Sequence, residues 1–276
     1  MAKSILEKQP DGSLKLVIAI PKDKVEKAQN EVVTALTEHA TVAGFRKGKA
    51  PQKLATGKVN DEQVQEEVLK KLLPEAYVAA IQEHNLRPIM NPKIHVDTLE
   101  PEEDWIFTAL TTEAPEVTLG NYQAKVKEVT AKSKIAIPGK EAKEPNFDEI
   151  MQAIVESTTI AIPAVLIEQE VDRLLAQLLD DVKKLGLTLD QYLGSTKKSP
   201  EELRQEYAKR AEQDIKVELI LQKIAESEHI SVSDKEVGEA IEKSKDSVER
   251  QQLESNKYLL ASILRQQKTL DFLRNL

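Results

Sequence analysis

The segment Leu14-Lys15-Leu16-Val17-Ile18-Ala19-Ile20 decides how the first part of the chain folds. Its large aliphatic residues recur at every second position, the period of a β-strand that buries one face. Pro21 ends this strand, and a helical pattern begins at Asp23 and continues to Ala40. The segment therefore predicts a strand followed by a helix.

The next elements outward are a second helix and a pair of strands. Asn60 and, three residues later, Gln63 predict a capped helix start. Pro74 is expected to break or kink this helix, because proline lacks an amide hydrogen and clashes with the preceding turn. Strands are predicted at residues 93–99 and 105–112, joined by an acidic turn at 100–104.

A third strand is predicted at residues 122–129, followed by a linker rich in Lys, Ala and Pro up to residue 145. Together these patterns predict an α+β domain over residues 1–115 and a strand and linker region over residues 116–146. Residues 147–276 then form an elongated all-α domain.

Helix signals dominate that second half. Pro163 lies in the first turn of a long apolar pattern that Gly186 ends. Ser199 with Glu202, and Ser233 with Glu236, have the spacing of capping boxes. Long helices are therefore expected over residues 162–185, 203–225 and 253–273.

Composition excludes several classes of function. The 276 residues include 39 Lys and Arg and 47 Asp and Glu, which gives a net charge of -8. The sequence has no cysteine, so thiol catalysis, cysteine zinc sites and disulfides are excluded. No apolar run approaches the roughly 18–20 residues of a membrane span, and residues 1–10 lack the apolar block of a secretory signal. The four histidines lie far apart, which argues against a histidine metal site: His39, His84, His95 and His229. We expect a cytoplasmic protein without cofactor, metal or membrane partner.

A basic loop is the sharpest local feature. Residues 41–58 contain five basic side chains and no acidic one, on a chain whose net charge is -8. Such asymmetry suits a polyanionic partner. Two glycines let the backbone turn tightly, and an aromatic side chain can anchor an interface. The residues in question are Gly44, Phe45, Arg46, Lys47, Gly48, Lys49 and Pro51.

The same loop admits a plainer interpretation, a solvated basic turn whose Phe45 packs into the core. A phosphate-binding P-loop fits worse, since the GxxxxGK[ST] spacing is missing and Ala50 follows Lys49. Electrostatic nucleic-acid contact alone gives roughly 10⁻⁴–10⁻⁶ M, and burying one phenylalanine adds about 1.5–3 kcal/mol. These magnitudes fit reversible docking on a large nucleoprotein.

The loop resembles the ribosome-docking signature of trigger factor, the bacterial nascent-chain chaperone. The segments HNLRPIMNPKIHV, DWIFTALTTEAPEV and IAIPAVLIEQEVDRLL follow the same order as in that family. The resemblance implies an amino-terminal domain that binds the large ribosomal subunit near the exit tunnel, through protein and ribosomal RNA. It also implies a helical cradle that holds nascent or unfolded polypeptides without ATP, and it admits a homodimer.

One departure concerns the prolyl isomerase domain that trigger factors usually carry. Only about 25 residues separate Tyr122 from Phe147, with no aromatic residue between them. An FKBP-like domain needs roughly 90 residues and an aromatic pocket. We therefore expect neither that domain nor its activity.

Two further hypotheses stay open at this stage. A helical scaffold or ribosome-assembly factor would bind ribosomal RNA through the basic loop without any client activity. A carboxylate hydrolase built on residues 100–104 carries little weight, because no nucleophile or histidine partner accompanies that cluster. Each helical leucine is first of all a core residue, since amphipathic helices normally bury their apolar stripe, and no helical residue is singled out as a site.

Overall fold

A computed structural model describes residues 3–39, 60–100, 103–133, 147–243 and 246–276. It divides into two compact units. Unit 1 comprises Met1–Ala114 together with Pro163–Leu166, and unit 2 comprises Pro115–Ile162 together with Ile167–Leu276.

Unit 1 is an antiparallel sheet with helices on one face. Its strands and helices are β1 Lys3–Lys8, β2 Ser13–Ile20, α1 Lys22–His39, α2 Asp61–Glu83, β3 Lys93–Thr98 and β4 Trp105–Thr112. The strand order is β1-β2-β4-β3, and each neighbouring pair is antiparallel. Leu16, Ile18 and Phe107 of the sheet pack against Val25 of α1 and Val68 of α2 to form the core.

The alternating pattern of residues 14–20 is confirmed as the central strand β2, and its even-numbered residues are buried. Of the break or kink expected at Pro74, the break does not occur, because α2 continues through the proline. Pro74 lies on the exposed side, as does Lys70, whose carbonyl loses its helical partner. Buried Leu72 and Ala76 on either side of the proline hold the helix against the core.

Unit 2 is mainly helical. Its elements are β5 Val117–Leu119, α3 Tyr122–Ser133, α4 Phe147–Glu156, β6 Thr158–Ile160, α5 Ala164–Lys184, α6 Leu189–Thr196, α7 Pro200–Ser227, α8 Asp234–Lys243, α9 Ser247–Ser255 and α10 Lys257–Arg274. The first residues of α5 belong to unit 1. One buried cluster joins α3, α4, α7 and α10, and a smaller one joins α5 to α7.

The predicted strand at residues 122–129 is wrong, since this segment lies in α3. Tyr122 and Val126 are four residues apart, so a helix places both on one face, where they pack against Ile150 and Ile154. The strand in this region is instead β5, which pairs with β6 in an antiparallel ribbon. Among the described residues of unit 2, this ribbon is therefore the only β-structure.

The helix signals of the second half are largely confirmed. Ser199 and Glu202 form the predicted capping box at α7. Gly186 follows α5 with a φ of 74°, a conformation that suits glycine at a helix end. The helix expected over residues 253–273 is in fact two, α9 and α10, which are separated at Asn256.

Candidate docking and client-binding surfaces

The basic loop of residues 44–51 lies outside the described residues, between α1 and α2. The described helices on either side of it are joined by an ion pair, in which the Lys71 ammonium lies 2.5 Å from the Glu31 carboxylate. This hydrogen bond lowers the pKa of Glu31 and raises the pKa of Lys71. At the start of α2, Asn60 Oδ1 accepts the backbone N–H of Glu62 at 3.1 Å. The loop therefore connects two helices that contact each other and share a core.

Part of the acidic turn at residues 100–104 has a structural role. Asp104 Oδ1 accepts the backbone N–H of Lys22 at 3.0 Å and so caps the first turn of α1. Residues 101 and 102 lie outside the described part of the chain. This capping role explains the position of Asp104, so the hydrolase hypothesis is not needed for that residue.

An exposed cluster of leucines lies where α5 turns into α6. Leu185 is 75% exposed, although leucine is normally buried. We call this cluster the tip patch; its members are Leu179, Leu185, Leu187 and Leu189. They fall within residues 179–189, at the end of α5, in the turn around Gly186 and at the start of α6.

Most other leucine and isoleucine positions in the long helices are core residues, as the amphipathic pattern predicts. Leu174 of α5 and Ala211 of α7 form the smaller cluster, while Ile220, Ile224 and Leu273 belong to the larger one. Periodicity could not tell these positions from Leu185, which follows the last residue of α5 and is exposed.

A groove runs between α7 and α10, with a volume of about 690 Å³. Its floor includes Leu221, Ala225 and Thr269, which are buried. Tyr258, at one rim, is 91% exposed. The other polar side chains of the lining are Glu218, Gln222, Glu226, His229, Ser231, Ser262, Arg265 and Gln266. A floor that includes Leu221 and Ala225, with polar rims, suits a short polypeptide segment.

Two cationic side chains of α10 donate hydrogen bonds to backbone carbonyls at one end of the groove. Arg265 Nε donates to the carbonyl of Ile230 at 3.2 Å, and Lys268 Nζ donates to the carbonyl of Ser231 at 3.0 Å. Lys268 also contacts Glu236 at 2.5 Å. Together with hydrogen bonds from Ser233, this contact lowers the pKa of Glu236 to about 2. These bonds give the end of the groove a defined shape.

Two partly buried hydrogen bonds fix the start of α3. The Tyr122 hydroxyl and Gln123 Nε2 both donate to Glu228 Oε1, at 2.6 and 2.8 Å. Burial, followed by the hydrogen bond to Glu228, raises the pKa of Tyr122. Glu228 is the C-cap residue of α7, so this pair attaches α3 to the helix that lines the groove.

The described residues contain no group of three or more His, Cys, Asp and Glu arranged to hold a metal ion. Within the same ranges, no helix combines the length and the apolar character that crossing a bilayer requires.

Comparison with known proteins identifies relatives of this chain. The family model described as bacterial trigger factor protein matches residues 2–144, and the model of the trigger factor C-terminus matches residues 121–275. A trigger factor from Carboxydothermus hydrogenoformans is 23% identical over 423 aligned residues, which cover 99% of this chain and 98% of the relative. One from Listeria monocytogenes is 35% identical over 117 residues, covering 42% of this chain and 27% of the relative.

A solved structure of a trigger factor chaperone, described for promiscuous substrate recognition in folding and assembly activities, has the same fold. It superposes with a TM-score of 0.64 at 13% identity and covers 98% of this chain and 99% of that chain. These matches place the protein in the class of molecular chaperones. The chain belongs to the bacterial trigger factor family.

The two family models also bear on the isomerase domain. They overlap over residues 121–144 and leave no stretch of residues 2–275 unmatched between them. Within residues 2–275, a chain matched in this way is consistent with the expected lack of an inserted FKBP-like domain.

Proposed function

We propose that this protein is an ATP-independent holding chaperone of the cytoplasm that docks on the large ribosomal subunit near the exit tunnel. The observation that carries the client-binding part is the exposed apolar surface of unit 2, the tip patch and the groove. Membership of the trigger factor family supports the docking part. No prolyl isomerase activity forms part of the proposal.

Docking is assigned to Gly44, Phe45, Arg46, Lys47, Gly48, Lys49 and Pro51. Positive charge would attract ribosomal RNA, and Phe45 would bury apolar surface against ribosomal protein. Each contribution is modest, so the complex should form and dissociate readily.

Client holding is assigned to the tip patch and the groove of unit 2. Two leucines partly buried by a client contribute about 2–5 kcal/mol, whereas association itself costs several kcal/mol. Affinity for any single segment is therefore low, and release needs no ATP. Attachment to the ribosome raises the effective concentration of the nascent chain near these surfaces.

The proposal is tested by measuring two activities on the same variants. Phe45→Ala/Arg46→Ala/Lys47→Ala should lose ribosome co-sedimentation and still suppress the aggregation of an unrelated denatured protein. Leu185→Lys/Leu187→Lys should show the opposite behaviour. The matched control is Val78→Lys, an exposed aliphatic position of α2 that should change neither activity.

The competing scaffold or ribosome-assembly function makes a different prediction. A protein of that kind would bind ribosomes through the loop but would not suppress aggregation, with or without the leucine substitutions. Wild-type protein that fails to suppress aggregation at any concentration would therefore contradict the proposed function.

A further inference from the structure

The turn between β1 and β2 contains the single Asp-Gly sequence of the chain, Asp11-Gly12. In such a pair the backbone nitrogen of the glycine can attack the side-chain carboxyl carbon of the aspartate, because glycine has no side chain that hinders the approach. Both residues are exposed to solvent. The turn therefore holds two groups that are able to rearrange to isoaspartate, a residue in which the main chain runs through the former side chain.

The folded turn restrains both reacting groups. The N–H of Gly12 donates to the carbonyl of Gln9 at 3.0 Å. The Asp11 carboxylate accepts the N–H and the hydroxyl of Ser13 at 3.0 and 2.9 Å, and the N–H of Ala164 at 3.1 Å. Such bonds favour the ionised carboxylate, which is a poorer electrophile than the protonated acid. While they persist, the attack is slow.

One of these bonds comes from outside the turn. Ala164 is the first residue of α5, and a Cβ on Gly12 would lie 3.4 Å from Cγ of Pro163. Residues 163–166, which belong to unit 1, therefore limit the freedom of the turn. The end of a helix opens at a smaller free-energy cost than the whole fold, so this contact can be lost while the sheet of unit 1 stays folded.

We propose that Asp11-Gly12 is a covalent modification site, at which release of the first turn of α5 permits conversion of Asp11 to isoaspartate. The folded cap keeps the site unreactive, and each opening of the cap exposes it. The amount of isoaspartate at position 11 therefore records how long the start of α5 has been detached.

The conversion needs no reagent other than water. The Gly12 nitrogen bonds to Cγ of protonated Asp11, the carboxyl hydroxyl leaves, and it departs as water with the proton of the amide. This step forms a five-membered imide. Water then adds to one imide carbonyl: cleavage of the Cγ–N bond restores aspartate, whereas cleavage of the original peptide C–N bond leaves Gly12 attached through Cγ as isoaspartate. One water leaves and one enters, and nothing is oxidised or reduced.

The product cannot rebuild the same cap. Isoaspartate adds one methylene to the main chain of a turn that the N–H of Gln9 closes on the carbonyl of Ser13 at 2.8 Å. Its free carboxylate is the former backbone carbonyl carbon of Asp11 and is attached directly to Cα. The three hydrogen bonds of the carboxylate are therefore lost, and the N–H of Ala164 is left without its acceptor.

Asp104 provides an internal comparison. Its carboxylate accepts the N–H of Lys22, the first residue of α1, at 3.0 Å. The sequence Ile-Ala-Ile-Pro precedes both capped helices, at residues 18–21 and at residues 160–163. Asp104, however, is followed by Trp105, which is 2% exposed and shields its own amide nitrogen. A shared capping role with a different following residue predicts conversion at Asp11 and none at Asp104.

The test incubates the full-length chain in ¹⁸O-labelled water near neutral pH and measures isoaspartate and ¹⁸O at each aspartate by peptide mapping. Asp11 of the wild type should convert about tenfold or more slowly than the same residue in a synthetic peptide of residues 8–15. Ala164→Pro removes the N–H donor with a residue that suits the first position of a helix, and should convert about threefold or more faster than wild type. Ala164→Ser keeps the donor and is the matched control, expected within about twofold of wild type.

Circular dichroism confirms that each variant is folded, and hydrogen exchange follows the product. Protein containing isoaspartate at position 11 should lose about tenfold of the exchange protection of the Ala164 amide. A wild-type rate equal to that of the peptide overturns the proposal, because the folded turn would then give no protection. So do equal rates in Ala164→Pro and wild type, conversion at Asp104 as fast as at Asp11, or full protection of the Ala164 amide in the product.

Discussion

The carboxylate of Asp11 accepts the backbone N–H of Ala164 at 3.1 Å, although 153 residues separate the two in the sequence. Asp11 also accepts the N–H and the hydroxyl of Ser13, at 3.0 and 2.9 Å. Next to it, Gly12 has a φ of 88°, and a Cβ there would lie 3.4 Å from Pro163 Cγ. The β1–β2 turn therefore caps α5 from outside, because no side chain just before that helix does so.

Removing this cap should destabilise the protein. Asp11→Ala leaves the first N–H of α5 without its carboxylate partner, and we expect the free energy of unfolding to fall by about 1 kcal/mol. Equilibrium urea denaturation measures the change. Asp180→Ala, an exposed aspartate on the same helix, is the control and should stay within about 0.5 kcal/mol of wild type.

The effect of Asp11 should also depend on pH. The N–H of Ser13 is the main cause that lowers the pKa of Asp11 below 3.8. A carboxyl group whose pKa is lower in the folded state stabilises that state above its unfolded pKa and loses this contribution as the pH falls through the folded value. The difference between wild type and Asp11→Ala should therefore be full at pH 6 and shrink below pH 4. A difference that stays constant down to pH 2 would contradict the capping role.

Pro74 offers a stabilising substitution. α2 continues through this proline, which cannot donate to the carbonyl of Lys70. Pro74→Ala should raise the free energy of unfolding by about 1–3 kcal/mol, because it restores that hydrogen bond and removes the clash of the ring. Pro74→Gly should gain about 1 kcal/mol less than Pro74→Ala. Thermal unfolding compares the three proteins, and equal stability of Pro74→Ala and wild type would show that α2 fully accommodates the ring.

The contact between Lys268 and Glu236 at the end of the groove can be tested through the pKa of Glu236. Its pKa is lowered to about 2, first by Lys268 and then by Ser233. In Lys268→Met the pKa should rise but remain below 4.5, since the Ser233 hydrogen bonds persist. NMR titration of the Glu236 carboxyl measures both values. In wild type the stabilising contribution should be present above pH 4.5 and lost as the pH falls towards 2; an unchanged pKa in Lys268→Met would contradict the contact.

The tip patch should tolerate polar substitution without loss of stability. Leu185→Lys exposes a charge where the leucine is already 75% exposed, so the free energy of unfolding should change by less than about 0.5 kcal/mol. Client holding should fall at the same time, because apolar contact area is lost. A reduced melting temperature that parallels the loss of holding would instead assign Leu185 a packing role.

Local sequence patterns predicted the elements whose partners lie nearby. The alternation of residues 14–20 sufficed for β2, and Ser199 with Glu202 sufficed for the start of α7. Residues 122–129 misled the prediction because Tyr122, Ala124 and Val126 fit a period of two as well as they fit a helix. Only the contact of Tyr122 and Val126 with α4 resolves that choice.

Contacts between distant segments and the exposure of individual side chains were harder to predict. The cap that Asp11 provides for Ala164 depends on a contact across 153 residues, which no local pattern encodes. Leu174 and Leu185 belong to one helical stripe, yet only Leu174 is covered by α7. Exposure depends on which side chains pack against a position, and this is a property of the tertiary fold. The docking loop was identified by its glycines and charges, and its assignment stays a prediction.

The most direct measurement of the central claim is a crosslink from the loop on translating ribosomes. A photoreactive phenylalanine analogue at position 45 should crosslink to a large-subunit component near the exit tunnel, and the crosslink should be lost in Arg46→Ala/Lys47→Ala. Crosslinks confined to the protein itself, on free and translating ribosomes alike, would contradict docking through this loop.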